Sequence, residues 1–240
     1  MRGLAPALVA AALLAPALSG CADRAPVTIL AAASLSDVMP QLLDLADEST
    51  GTTYEVSYAG SAQLVQQLNA GAQADLVILA GEGPLAALDQ DLGFSEPTIV
   101  ATNGLALVTA PGNPAKIGEL ADLAAEDITL VTCAPHVPCG SAAEQMFVQA
   151  DLAPQLASLE PDVRATLTKV SSGEADAGVV YVTDAADAGL PTIEIPAEVD
   201  MVNHYPLLFD LDSPDGQAVL DLMTSPAGQQ VLTAAGFGIP

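Results

Sequence analysis

The stretch VTILAAASLSDVMPQLL, residues 27–43, decides the fold. Its first part, VTILAAA (27–33), is a continuous apolar run of strand length, the pattern of a parallel strand covered on both faces. Leu42, Leu43 and Leu45 then follow within a helix-like segment, and Pro40 is compatible with that helix only if it begins near Ser36. A buried strand therefore turns into a helix through three alanines and Ser34. A hydroxyl at that junction calls for a reason.

The pattern repeats outward. TYEVSYAG (53–60) alternates like a strand, and SAQLVQQLNAG (61–71) places Leu64, Val65 and Leu68 at helical spacing before stopping at Gly71. ADLVILA (74–80) reads as another buried strand, so the order strand, helix, strand, helix, strand predicts a parallel α/β sheet. Further strands are predicted at GLALVTA (104–110), DITLVTC (127–133) and AGVVYVTD (177–184), with helical segments between them. HYPLLFD (204–210) precedes a final helix whose start is marked by Ser225 and Pro226 and whose stop is marked by Gly236. There is no internal repeat, low-complexity tract or long linker. Two α/β lobes joined by crossing strands fit this length better than one large sheet.

Residues 1–21, MRGLAPALVAAALLAPALSGC, stand apart from the fold. One positive charge at Arg2, an apolar stretch from Leu4 to Leu18 and small residues before a cysteine form an export signal, too short and Pro-interrupted for a good membrane span. Leu18-Ser19-Gly20-Cys21 has the form of a bacterial lipobox, which predicts removal of residues 1–20, a lipid on Cys21 and a short tether at 21–25. Such a lipid anchors a protein to the outer face of the membrane without spanning it. An ordinary signal peptide that contains a cysteine is the other reading. Losing residues 1–20 removes Arg2 and moves the net charge from −25 to −26, with 30 Asp and Glu remaining. A surface this acidic repels nucleic acid and acidic membranes, and both are excluded as partners.

Cys133 and Cys139 remain, inside CAPHVPCG (133–140). In an exported chain, two cysteines with Pro135 and Pro138 bending the backbone between them suggest a disulfide. A metal site using His136 is the competing reading, but structural zinc usually takes four ligands, and His204 is the only other histidine.

Ser34 sits at a strand's carboxyl end, where open α/β sheets place ligands, and at a helix entrance rich in free N–H groups. Ser61 in YAGSAQL repeats the arrangement, and Ser141 with Glu144 matches an S-x-x-E capping box. Any one of these serines could merely cap its helix. Taken together, with small residues crowding two of the turns, they predict an anion cradle built from hydroxyls and N–H groups. A serine hydrolase is the reading from another class. It lacks a G-x-S-x-G elbow, and only His136 and His204 could act as base. No P-loop, G-x-G-x-x-G, H-E-x-x-H or calcium-loop motif is present, so no cofactor and no cation site is expected.

Taken as a set, AAASLSDV (31–38), YAGSAQLVQQLNAGAQADLVILA (58–80), HVPCG (136–140), DVRATL (162–167), GVVYVTDA (178–185) and SPAGQQVLTAAGFG (225–238) resemble the periplasmic or lipid-anchored molybdate-binding proteins of ABC transporters. The resemblance runs through essentially the whole chain after residue 21. It implies a two-lobed periplasmic-binding-protein-like α/β fold of type II, each lobe a mainly parallel sheet flanked by helices, with lobes at 26–103 plus 205–240 and at 104–204. It implies a monomeric receptor, not an enzyme, that closes on molybdate or tungstate and delivers it to an ABC permease. Carried over by motif, Ser34 and Ser61 each donate a hydroxyl and a backbone N–H, Cys139 and Val163 donate backbone N–H groups, and Tyr181 donates its phenol. Arg164 has no direct contact in this pattern. A site of donors alone suits a fully ionised oxyanion and leaves sulfate, or another tetrahedral oxyanion, as the alternative ligand.

Overall fold

In the computed structural model, which describes residues 25–50 and 52–240, the run that opens the reading forms strand β1 (Val27–Ala32). Residues 1–20, Cys21 and most of the tether lie outside the described residues. Val27, Ile29 and Ala31 of β1 face one apolar layer with Leu35, Leu42, Val219 and Leu232. Leu30 faces another, with Leu64, Leu68 and Val77. A strand with apolar partners on both faces has no polar side to show, hence the unbroken run in the sequence.

β1 does not pass directly into a helix. Ala33–Leu35 form one 3-10 turn, and α1 (Met39–Thr50) begins at Met39 rather than near Ser36. Pro40 thereby falls in the first turn, where its missing N–H has no intrahelical acceptor to satisfy. The chain continues through β2 (Tyr54–Ala59), α2 (Ser61–Asn69), β3 (Leu76–Ile78), α3 (Glu82–Ala87) and β4 (Thr98–Asn103). It then crosses at Gly104 into β5 (Leu105–Thr109), β6 (Leu130–Cys133), α4 (Pro138–Gln149), β7 (Leu156–Glu160) and α5 (Val163–Ser171). β8 (Ala177–Tyr181), α6 (Val182–Ala188) and β9 (Thr192–Ile193) complete this half. The chain returns in β10 (Asn203–Phe209) and ends with α7 (Gly216–Thr224) and α8 (Pro226–Ala234).

Two five-stranded sheets result, ordered β2-β1-β3-β10-β4 and β7-β6-β8-β5-β9. β1 is parallel to β2 and β3, and β6 is parallel to β7 and β8. β10 and β5 run antiparallel to their neighbours. Each sheet is flanked by helices and carries its own core, so the molecule is a two-lobed α/β protein. The crossing is pinned where Val182 N–H donates to the Gly104 carbonyl at 3.0 Å and Leu105 N–H donates to Asp200 Oδ1 at 3.2 Å.

Two further expectations are corrected, and the final helix keeps its expected bounds. The strand read across 177–184 stops at Tyr181, because its partner β5 begins at Leu105, opposite Tyr181, and offers no edge beyond it. Val182–Ala188 turns into a helix instead. The Ser141–Glu144 capping box does not form. Pro138, with its fixed φ, already starts α4, and Ser141 sits inside the helix, where its Oγ accepts from Gln145 at 3.2 Å. The closing helix is preceded by α7, a second helix the sequence pattern did not separate. α8 itself begins at Ser225, whose Oγ accepts from Gly228 N–H at 3.1 Å, and ends before Gly236 at φ +91°.

Candidate functional site

Between the lobes, the carboxyl ends of six strands, the parallel sets β1, β2, β3 and β6, β7, β8, point at one small cavity of about 20 Å³. Ser34, Ser61, Cys139, Val163 and Tyr181 all line it, together with small residues such as Ala32, Ala33 and Gly60. The five residues proposed from sequence therefore meet in space, although Ser34 and Tyr181 are 147 positions apart in the chain.

Each element delivers a donor for a local reason. Ser34 is the second residue of the 3-10 turn after β1, and Ser61 is the first of α2, so neither N–H has an acceptor within its own helix. Both side chains are buried, at 5% and 2% exposure. Ser34 Oγ lies 2.9 Å from the Tyr205 hydroxyl, and Ser61 Oγ accepts from Ala80 N–H at 2.8 Å. In α4, Pro138 at the helix start has no N–H, which makes Cys139 the first residue of that helix able to donate. Asp162 caps α5 by accepting from Ala165 N–H at 2.9 Å, leaving the N–H of Val163, the first helical residue, toward the cavity.

The disulfide reading holds. Cys133, the last residue of β6, is bridged to Cys139 across a Cα–Cα distance of 5.7 Å. The turn between them is so tight that a Cβ on Gly140 would lie 2.0 Å from the Ala134 carbonyl oxygen. With both sulfurs in that bridge, the metal reading loses its thiolates. Among the described residues, no group of three or more His, Cys, Asp or Glu is placed to hold a metal ion.

Tyr181 closes β8 and its phenol oxygen accepts from the Asn203 side-chain amide. Burial pushes the Tyr181 pKa well above its ordinary value, with Tyr205 and Asp184 adding to the effect, so the phenol keeps its proton. Tyr205 is pushed up as well, chiefly by burial. No lysine or arginine lines the cavity. Its positive potential comes from the amino ends of helices.

Arg164, next to Val163, is turned away and spans the lobes. Its Nη1 lies 2.6 Å from Asp37 Oδ2 on the first lobe and 3.2 Å from Asp184 Oδ1 on its own. Burial raises the Asp184 pKa to about 7 despite the Arg164 contact. The lobes also approach closely at Gly60, where a Cβ would lie 2.7 Å from the Pro161 carbonyl oxygen. Sequence reasoning missed Asn103, Asn203 and Tyr205, which stand directly behind the cavity. No motif marks them, since β4 was not read as a strand and the β4–β10 pairing that joins Asn103 to Asn203 is long-range.

A larger groove of about 700 Å³ runs beside the site, along the flanks of α2 and α4, and contains both His136 and His204. Neither cavity serine bonds to a histidine: Ser34 meets Tyr205 and Ser61 meets Ala80 N–H. The hydrolase reading needs such a pair and does not find it here.

Comparison with known proteins agrees with this architecture. The family described as bacterial extracellular solute-binding protein matches residues 27–238. The molybdate-binding protein ModA of Mycobacterium tuberculosis is 32% identical over 258 residues, covering 99% of this chain and 98% of the relative. ModA of Haemophilus influenzae is 28% identical, covering 90% and 91%. Among solved structures, the periplasmic molybdate-binding protein of Azotobacter vinelandii superposes with a TM-score of 0.79 at 20% identity, covering 89% of this chain and 99% of that one. A two-lobed α/β chain, with strand ends converging between its lobes and relatives matched over nearly their full length, belongs to the bacterial extracellular solute-binding protein family and is a receptor rather than an enzyme.

Proposed function

We propose that this chain is the receptor of a molybdate uptake system, binding molybdate, and tungstate of nearly the same shape, between its lobes. Ser34 and Ser61 supply hydroxyl and backbone donors, Cys139 and Val163 supply N–H groups, and Tyr181 supplies its phenol. The carrying observation is the convergence of these five residues on one cavity with no cation in its wall. Such a site holds a dianion through many partial charges, and the one carboxylate in its wall, Asp162, has its Oδ1 engaged in capping α5 through Ala165 N–H. Full-length relatives named as molybdate-binding proteins support the choice of anion.

The wider reading follows from the same family. The lobes divide at 26–103 plus 205–240 and at 104–204, and Gly104 belongs to the hinge. Residues 1–20 direct export, Cys21 carries a lipid that holds the protein at the outer face of the membrane, and the loaded monomer hands its anion to an ABC permease. No helix among the described residues is long and apolar enough to cross a membrane.

Calorimetric titration of residues 22–240 with molybdate, tungstate, sulfate and phosphate tests the reading. Molybdate and tungstate should bind one to one. Ser34→Ala and Ser61→Ala should each weaken binding by about 10- to 100-fold, the worth of a hydrogen bond to a charged group. Sulfate binding in place of molybdate would reassign the anion, and no heat with any oxyanion would refute the site.

A further inference from the structure

Behind the cavity hydroxyls stands a set of N–H donors that fixes which way their protons point. Ala80 N–H donates to Ser61 Oγ at 2.8 Å. The Asn203 amide donates to the Tyr181 phenol oxygen. The Asn103 amide donates to Thr183 Oγ1 at 2.7 Å and to the Tyr205 hydroxyl at 3.4 Å, and Tyr205 in turn lies 2.9 Å from Ser34 Oγ. A hydroxyl has one proton to give. With N–H groups occupying the acceptor side of Tyr181 and Ser61, the remaining O–H of each turns toward the cavity. Either hydroxyl can donate in the Ser34–Tyr205 contact, and the Asn103 amide on the Tyr205 oxygen favours Tyr205 as the donor, which leaves the Ser34 proton for the cavity.

The two asparagines are not independent. Asn103 on β4 and Asn203 on β10 are directly opposite each other in the strand register, at the crossing between the lobes. One strand pair therefore carries both amides, one serving each tyrosine. Neither asparagine lines the cavity.

We propose that Asn103 and Asn203 are specificity-determining residues: by donating to the two tyrosines they make the Tyr181 and Ser34 hydroxyls donors to the cavity, as Ala80 N–H does for Ser61, so the site rejects an oxyanion that still carries a proton. This rests on the oxyanion-receptor reading given above. An aspartate at either position would reverse the effect, because a carboxylate only accepts hydrogen bonds. It would draw the tyrosine proton backward and turn the phenol oxygen's acceptor side to the cavity.

The test compares dissociation constants for molybdate and phosphate at pH 8.5, where both are dianions and phosphate still keeps one proton, in the wild-type protein, Asn203→Asp and Asn203→Ala. The wild type should strongly prefer molybdate. In Asn203→Asp the phosphate-to-molybdate ratio of dissociation constants should shrink by about tenfold or more, the value of one hydrogen bond to a charged group. The added negative charge weakens both anions alike and cancels in the ratio. Asn203→Ala leaves the Tyr181 proton free for the cavity and should keep the ratio within about threefold of wild type. Tight molybdate binding with an unchanged ratio in Asn203→Asp, or wild-type protein that holds phosphate as tightly as molybdate, overturns the inference alone. Absence of molybdate binding in the wild type would instead overturn the receptor reading on which it stands.

Discussion

Ser34, at the end of the opening stretch, is small enough to be buried where the lobes meet and polar enough to supply two donors from one residue. Gly60 makes the complementary point about size. Its backbone is ordinary, at φ −60° and ψ 135°, so its value lies in the missing side chain and not in conformational freedom. A methyl group there would lie 2.7 Å from the Pro161 carbonyl oxygen on the opposite lobe. Gly60→Ala should therefore hold the lobes apart and weaken molybdate binding by about tenfold or more, an overpacking cost of 1–3 kcal/mol. The melting temperature of the ligand-free protein should change little, because each lobe can keep its own core. Calorimetry beside thermal melts checks this, and an unchanged affinity would show that closure does not pass through this contact.

Among the elements, those most legible in the sequence are the ones buried on both faces. β1 reads as an unbroken apolar run because helices cover both sides of it. β7 was missed because it is an edge strand with Leu156 and Leu159 exposed, so its pattern gives no buried face. β4 was missed because it is an edge strand of its sheet and its residues TIVATN give neither an unbroken buried run nor a strict alternation. The β8 reading ran too far because Val182 and Thr183 have strand propensity, whereas the end of the partner strand decides where pairing stops. Of the site, Ser34 and Ser61 carry local signals of small residue, serine and helix, Cys139, Val163 and Tyr181 are reached only through the family resemblance, and the asparagines behind them carry no signal. The β6–α4 junction shows what a covalent link adds to an element. Cys133→Ser with Cys139→Ser should lower unfolding free energy by about 2 kcal/mol in the chain-entropy picture. It should also weaken molybdate binding severalfold, because the Cys139 N–H is then held less firmly. Urea denaturation with and without reductant measures the first effect. An equal midpoint in both conditions would count against it.

For the whole molecule, the tension lies between a net charge of −25 and an anionic ligand. The cavity attracts through helix amino ends over a few ångströms, whereas the acidic surface repels over roughly a Debye length, about 10 Å at 0.1 M salt. Arg164 does not relieve the repulsion, since Asp37 and Asp184 already engage its guanidinium. Association with molybdate should therefore quicken as ionic strength rises, which stopped-flow tyrosine fluorescence can follow. A rate that falls with salt would reveal a positive mouth to the cleft. The central claim concerns where the anion sits, and the most direct measurement is a crystal structure grown with molybdate, with the anomalous signal of molybdenum locating the metal. The account predicts a single interlobe peak whose oxygens lie within hydrogen-bond distance of the Ser34, Ser61 and Tyr181 hydroxyls and of the Cys139 and Val163 N–H groups. A peak in the groove beside His136 and His204, or none between the lobes, would contradict it.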